Sequence, residues 1–478
     1  MVQHVSPKRW RWLALAVVLT LWGLTDVRSR ARIDPTDPLA HKTDLTVYTE
    51  AGAAFFDGRN PYDVSNPRGW RYLYPPLFAI LMAPLAALDS QWQAVVWYFI
   101  SLGFVWGTWR EAVRVWRLLF GDRIKPPTSE QQFSPPIWLG GLAAATLALP
   151  ALNCLQRGQV GMLIVYLVLL GYRLAAENRS WWGAAAGGSA LAAAVAIKLT
   201  PALPAVLLVA MFFLAARAHR WSAEPSRQFG GAFAGLAIGL LMFFFILPGM
   251  AIGNAANVNH LRTWVDRIVL HHDMGEENNA GFYSVRDQSL TNAVERLGNW
   301  LAESIAGSRD EATPSNSAHT SAVPVALPSV GWSLAFARLA LLALLVIGGW
   351  RAARHGDRLD VAAVFGLAAT ATLLLSPLSW AHHYLIWLPG LLIVPAWLWR
   401  ARRVRLAVVL AIAPCVLILA HYALLDWAGR AGLLGLGTSA WFLAAARIAA
   451  RGELLARCRI QGSADAGHIA PPISRQAA

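Results

Sequence analysis

The chain has 478 residues, of which 56% are hydrophobic and only 14% charged, with 23 tryptophans among them. A soluble globular chain carries roughly 25% charged residues, so this one cannot clothe itself in polar surface and water is not its main solvent. The 41 basic and 27 acidic residues leave a net charge of +14. On so apolar a chain that excess points to basic loops held against an anionic leaflet, and no nucleic-acid partner is expected. Disordered, collagenous and disulfide-rich secreted chains are excluded, and an all-α polytopic membrane protein is predicted. Cys154, Cys415 and Cys458 are too few and too scattered for a disulfide framework or a metal cluster.

The first apolar run, Trp12 to about Val27, follows Lys8, Arg9 and Arg11 and has no small-residue cleavage site after it. It reads as an uncleaved anchor with its N-terminus in the cytoplasm. Eleven further runs long enough for about 30 Å of hydrocarbon lie near 91–109, 136–152, 159–175, 181–197, 201–217, 228–249, 331–350, 359–376, 383–399, 404–425 and 430–447. Arginine-rich connections follow alternate runs: Arg110 to Lys125, Arg217 to Arg227, Arg351 to Arg358, Arg400 to Arg405 and Arg447 to Arg459. The positive-inside rule then gives about twelve spans with both termini in the cytoplasm. Residues 75–89 are apolar but short, with Pro84 near the middle. A full crossing there would invert every later loop, so a partial or re-entrant segment is expected.

Residues 1–450 are expected to form one transmembrane domain, and 451–478 a cytoplasmic tail. Two long loops fall on the outer side, 28–74 and 251–330, the latter with a flexible Ala/Ser/Pro/Thr-rich stretch at 307–329. No internal repeat is evident. In the second loop His271, His272, Asp273, Glu276 and Glu277 match no defined metal spacing and read as a solvated loop. Asp266, Arg286 and Asp287 are no more than potential acceptor contacts.

The first outer loop holds the chemistry. Residues 43–57 read as a helix along the membrane surface, with Leu45, Tyr48, Gly52 and Phe55 on one face. Asp44 opens it, either as an N-cap or as a functional carboxylate, with Tyr48 one turn later. Gly58-Arg59-Asn60-Pro61-Tyr62 and Tyr72-Leu73-Tyr74-Pro75-Pro76-Leu77 follow; their tyrosines suit an interfacial aromatic belt as well as a substrate.

A helix opening with Asp, then G-x-x-P-Y and Y-P-P-L, resembles the first extracytoplasmic loop of glycosyltransferase family 87. Three later segments extend the resemblance: Asn153 to Gly161 is similar to its N-x(4)-G-Q loop, Lys198 to Pro201 to its K-x-x-P break, and Ser376 to Tyr384 to its S-P-x-S-W-x-H-H segment. The family more often carries Asn where this chain has Gly161. The resemblance implies a GT-C bundle that transfers a hexose, most often mannose, from a polyprenyl-phosphate donor to a lipid or glycan acceptor outside a bacterial cytoplasmic membrane. By the same resemblance Asp44 is the base. Lys198, His382 and His383 are the candidates to stabilise the departing phosphate, against a lysine snorkelling to the interface and histidines satisfying carbonyls at a helix terminus; Tyr48, Tyr62, Tyr74, Asn153 and Gln159 are expected to bind substrate, and no cofactor or metal is needed. Only one of the two adjacent histidines is expected to reach the site. Arg157 reads equally as a phosphate contact or an exposed loop residue. The competing class is a transporter or flippase of a saccharide or lipid-linked sugar, which would carry its charges near mid-span. Here Asp44, Gln159, Lys198 and the histidines all fall at the outer ends of spans.

Overall fold

The computed structural model describes residues 7–121, 134–177, 180–271, 286–306, 328–355 and 357–451. These are helical, with two isolated β-bridges and no strand among the described residues. The runs expected to cross a membrane fall largely on helical residues, several of them divided between successive helices, as 136–152 is between Trp138–Thr146 and Ala148–Gln156. Among the described residues, seven helices are both long and apolar enough to cross by length and composition, including Ala223–Ile252, Arg358–Leu375 and Ala381–Arg400. Shorter apolar helices include Trp181–Ile197 and Ala202–Ala218.

Burial divides the helices into a core and a lipid-facing shell. Arg358–Leu375 and Ala381–Arg400 have 78% and 89% of their apolar windows buried, whereas Ala223–Ile252 has 28%. Met250, Phe336, Val206 and Val416 stand exposed on outer helices. A water-soluble monomer does not show so wide an apolar exterior. Small residues set the inner contacts. A Cβ at Gly235 would lie 1.9 Å from the Ala185 carbonyl, so Ala223–Leu241 and Trp181–Ile197 touch backbone to backbone.

The first long loop differs from its expectation. Leu45–Phe56 is a helix, as expected, but it is packed into the protein on both faces: nine of its residues, including Thr46 and Thr49, are buried. The chain after it folds back onto its start, Asn66 Nδ2 donating to the Thr43 carbonyl at 3.3 Å, and the helix's polar face is satisfied from within. Thr46 Oγ1 lies 2.7 Å from His41 Nε2, and Thr49 donates to Gln93 Oε1 at 2.8 Å. Beneath it, Pro76–Met82 and a 3-10 turn, Ala83–Ala87, form a 12-residue apolar stub. At 1.5 Å per residue the stub spans about 18 Å, too short to cross and in keeping with a partial segment. Asp89 ends it and caps the long helix Ser90–Phe120 by accepting from the Gln91 and Trp92 amides.

The second long loop is tied to the first. Trp264 donates to the Leu73 carbonyl at 3.2 Å, and Arg267 pairs with Asp63 at 2.6 Å. Arg123, Lys125, His272, Asp273, Glu276, Glu277, residues 307–327 and the tail 452–478 with Cys458 lie outside the described residues. Pro328 and Ser329, expected in the flexible stretch, instead open the helix Pro328–His355.

Candidate active site

Asp44 occupies the N-cap position of Leu45–Phe56 yet makes no side-chain capping bond. Its carboxylate is taken by a loop 113 residues away. Arg157 forks onto it, Nη2 to Oδ1 at 2.9 Å and Nε to Oδ2 at 3.0 Å, and Gln159 Nε2 also donates to Oδ2. A carboxylate offers about four lone-pair positions. Three are filled, and the open one lies on Oδ1.

That loop is shaped for the purpose. Ala148–Gln156 ends at Arg157, and Gly158 turns the chain at φ +66°. A Cβ at Gly158 would sit 2.9 Å from the Leu45 Cβ, so only glycine lets the loop approach the start of the Asp44 helix so closely. The Arg157 carbonyl accepts from the Asp44 amide at 2.9 Å and from Thr43 Oγ1 at 3.0 Å, locking backbone to backbone. The buried Cys154 thiol donates to the Gln159 carbonyl at 3.3 Å. The Arg157 guanidinium sits in the corner formed by two nearly perpendicular indoles, 4.7 Å from the Trp70 ring and 4.8 Å from that of Trp380. With side chains only 14% and 8% exposed, Arg157 and Asp44 form a shielded, directed ion pair.

The pair forms one wall of a cavity of about 300 Å³, which Tyr48, Tyr74, Gln159, Lys198, His382 and His383 also line. Tyr48 and Tyr74 meet hydroxyl to hydroxyl at 3.2 Å, and Tyr74 donates to Gln159 Oε1 at 3.3 Å, extending the network from Asp44. Burial pushes both phenols well above their usual range, keeping them neutral donors. Lys198 leaves the end of Trp181–Ile197 in extended backbone, and its ammonium lies 5.3 Å from the centre of the Tyr74 ring. Burial lowers it to about 8, a shift that Cys154 and Asp44 oppose.

His382 and His383 both border the cavity, not one of the two as expected. Both stand in the first turn of the 3-10 helix Ala381–Trp387. The rings stand 4.4 Å apart, nearly perpendicular, and His383 Nδ1 is 3.3 Å from both the Trp380 amide and the Leu378 carbonyl. The segment bearing them is anchored by Asp287, which is no acceptor contact. Fully buried, it accepts from the Ser379 amide at 2.8 Å and the Ser289 amide at 2.9 Å, and it bridges to Trp380.

Two expected residues stay away. Tyr62 is buried behind the wall, donating to the Tyr74 carbonyl at 3.2 Å, and Asn153 is half-buried on its helix, where its carbonyl accepts from the Arg157 amide at 3.1 Å. Asp266 is exposed beside His271. Sequence reasoning missed Trp70 and Trp380, and left Arg157 open although it sits inside the N-x(4)-G-Q segment. Among the described residues, no group of three or more His, Cys, Asp or Glu side chains could hold a metal ion.

The family model of glycosyltransferase family 87 matches residues 72–377, more than half of the chain. That range includes Tyr74, Arg157, Gln159 and Lys198 but not Asp44 or the two histidines. One relative, from Mycobacterium tuberculosis strain CDC 1551 / Oshkosh, is 26% identical. It is a polyprenol-phosphate-mannose-dependent alpha-(1-2)-phosphatidylinositol pentamannoside mannosyltransferase, and the match covers 74% of this chain and 66% of the relative, a little under two thirds. A second, from strain ATCC 25618 / H37Rv, is a polyprenol-phosphate-mannose-dependent alpha-(1-2)-phosphatidylinositol mannoside mannosyltransferase. It is 24% identical over 79% of this chain and 75% of its own length. No solved structure matches. By the extent of the family match, this multi-pass membrane chain belongs to glycosyltransferase family 87.

Proposed function

We propose that the chain is an inverting mannosyltransferase, moving mannose from a polyprenyl-phosphate carrier to a hydroxyl of a lipid or glycan acceptor. The observation that carries this reading is the Asp44 carboxylate, fixed with one lone pair open at the wall of a cavity that also presents Lys198, His382 and His383. The family match and the polyprenol-phosphate-mannose dependence in both relatives' names support the donor.

The acceptor hydroxyl donates to Asp44 Oδ1 and attacks the anomeric carbon. The new carbon–oxygen bond forms as the bond to the phosphate oxygen breaks, the proton passes to Asp44, and the electron pair leaves with polyprenyl phosphate. Arg157 and Gln159 hold the base in place. Lys198 and the histidines meet the charge that develops on the phosphate. One displacement inverts the anomeric centre, so a beta-linked donor gives an alpha product. The transfer as written needs neither metal nor cofactor.

We read the twelve helical runs as twelve crossings of a bacterial inner membrane, with both long loops and the cavity on the extracytoplasmic side. The basic connections at Arg110–Arg117, Arg217–Arg227, Arg351–Arg358 and Arg400–Arg405 support this orientation. The polar groups gather at one end of the helices beside the long loops, which disfavours the transporter reading.

The deciding experiment is Asp44→Asn in proteoliposomes given radiolabelled polyprenyl-phosphate mannose and a mannosylated lipid acceptor. General-base catalysis contributes about 10²–10⁴-fold, so a loss of at least about 100-fold is expected. A folded variant that transfers at the wild-type rate refutes the assignment of the base. Movement of the lipid across the bilayer without a glycosidic product refutes the enzyme.

A further inference from the structure

A further polar cavity, of about 420 Å³, lies at the opposite end of the bundle from the active site. The helix Arg358–Leu375 measures the separation. Arg358 at its start lines this cavity and Ser376, just past its end, lines the catalytic one, about 27 Å away at 1.5 Å per residue. The other walls are the ends of Gly161–Glu177 and Ala202–Ala218 and the start of Ala223–Leu241. Between the last two the chain reverses from His219 to Ser222, with left-handed backbone at Arg220 and Trp221 (φ +50° and +58°). Tyr172 and Phe212 lie five and six residues in from their helix ends, so the cavity reaches about 8–9 Å into the bundle. The headgroup layer on each side of a bilayer is about 5–8 Å deep.

The cavity offers hydrogen-bond donors that the protein does not use. Tyr172 is 1% exposed and its ring stacks on Phe365 at 4.7 Å, yet its hydroxyl has no partner among the described residues. A buried phenol ordinarily finds one. His219, Ser222 and Gln228, which also line the cavity, make no side-chain hydrogen bond to a described residue. Ser222 is the N-cap of Ala223–Leu241 but makes no capping bond, so the first amides of that helix and the positive end of its dipole stay open beside the cavity. Arg358 Nη2 donates to Glu224 Oε1, the one carboxylate of the lining, while its Nε and Nη1 have no described partner. The connections that frame the cavity add Arg217, Arg220, Arg227, Arg351 and Arg354. Unused donors at headgroup depth, one acid already engaged and an arginine-rich frame together match a phosphate ester. Ala176, Phe212, Ala215 and Val361 complete the lining with apolar surface, which suits a lipid better than a free inorganic ion.

We propose that this cavity binds the phosphate of an anionic phospholipid from the cytoplasmic leaflet. Tyr172, Arg358 and the first turn of Ala223–Leu241 meet the phosphate, and Glu224 accepts from a hydroxylated headgroup. The choice of leaflet rests on the orientation proposed above; the cavity itself does not.

Native mass spectrometry of the full-length chain in detergent, titrated with phosphatidylglycerol, reads binding without reference to sidedness. Tyr172→Phe, which removes one hydroxyl, and Arg358→Gln should each weaken the tightest lipid site about tenfold. Arg400→Gln, on another basic connection, should change it by no more than about twofold. Thermal melts report folding, and Tyr172→Phe carries the test if Arg358→Gln unfolds. Wild-type affinity in a folded Tyr172→Phe overturns the proposal. So does an equal loss in Arg400→Gln, which would mark a diffuse basic surface, or displacement of the lipid by inorganic phosphate at equal concentration, which would mark a soluble anion. In inside-out membrane vesicles, phosphatidylglycerol with a headgroup diazirine, added from the cytoplasmic side, should label 212–228. Label there only from the opposite side overturns the leaflet while supporting the cavity, and label confined to other segments overturns the site. None of these results bears on the transferase reading, which Asp44→Asn tests.

Discussion

Arg157→Lys is the most searching perturbation of the site, because it keeps the charge and removes only the geometry. The guanidinium makes two parallel bonds to Asp44, of 2.9 and 3.0 Å, while resting in the corner between the nearly perpendicular rings of Trp70 and Trp380. An ammonium cannot fork across both carboxylate oxygens, nor present a planar, weakly hydrated cation to the two indoles. A hydrogen bond to a charged group is worth about 1.5–3 kcal/mol, and a shielded cation–π contact about 0.5–2 kcal/mol. The Asp44 side chain is 8% exposed and faces the cavity, so water recovers part of the loss and a net destabilisation of about 1–3 kcal/mol is expected. The catalytic effect is larger, since displacing a reacting group by about 1 Å costs about 100-fold. In steady-state transfer assays kcat should fall about 100-fold, with KM for the donor changed less than threefold. Trp70→Leu and Trp380→Leu should each cost about 2- to 30-fold, and neither should add its full effect to Arg157→Lys, because all three act on one guanidinium. The reasoning fails if kcat is retained within threefold. It fails too if donor KM alone rises, which would make Arg157 a donor contact.

Other outcomes follow from single residues. The Lys198 ammonium, lowered by burial to about 8, loses its charge as the pH rises through that value, so transfer should decline on the alkaline side near pH 8. Lys198→Arg, which stays protonated, should move the decline upward in a pH–rate profile. Gly158→Ala sets a Cβ at φ +66° and 2.9 Å from Leu45; about 1–2 kcal/mol of stability should be lost, with kcat reduced at least tenfold by thermal-melt and transfer assays. Asp287→Ala strips the buried acceptor from the Ser379 and Ser289 amides and should cost about 2–4 kcal/mol, with kcat lowered through the displaced histidines.

The linear patterns were legible and the long-range ones were not. Twelve apolar runs and their arginine-rich connections announced the helices. Asp44, Gln159, Lys198 and both histidines were legible because each stands in a short segment with its own neighbours. Arg157 was ambiguous because its partner lies 113 residues away, a distance at which spacing says nothing. Trp70 and Trp380 were hidden by abundance: in a chain with 23 tryptophans, each passes for an interfacial anchor. Tyr62 and Asn153 stand near the right residues in the chain but serve the wall through their contacts with Tyr74 and Arg157. The amphipathic pattern of Leu45–Phe56 suggested a surface helix because periodicity reports which face is apolar, not whether later chain folds over the other.

The distribution of charge around the cavity explains why an arginine, rather than water or a second carboxylate, faces the proposed base. Asp44 is one carboxylate among three cations lining the cavity, Arg71, Arg157 and Lys198. A donor phosphodiester adds one negative charge. In the proposed transfer the proton neutralises Asp44 as the departing phosphate gains a second charge, so the total within the cavity does not change. Negative charge only moves, from the carboxylate held by Arg157 to the phosphate beside Lys198. A shift of that kind needs little reorganisation of the surroundings, which in a site of low dielectric is the costly part. The tryptophans complete the arrangement. They fix the guanidinium while its counter-charge is leaving, so the positive field that orients Asp44 before the proton moves stays in place, aimed into the same cavity, as the phosphate departs.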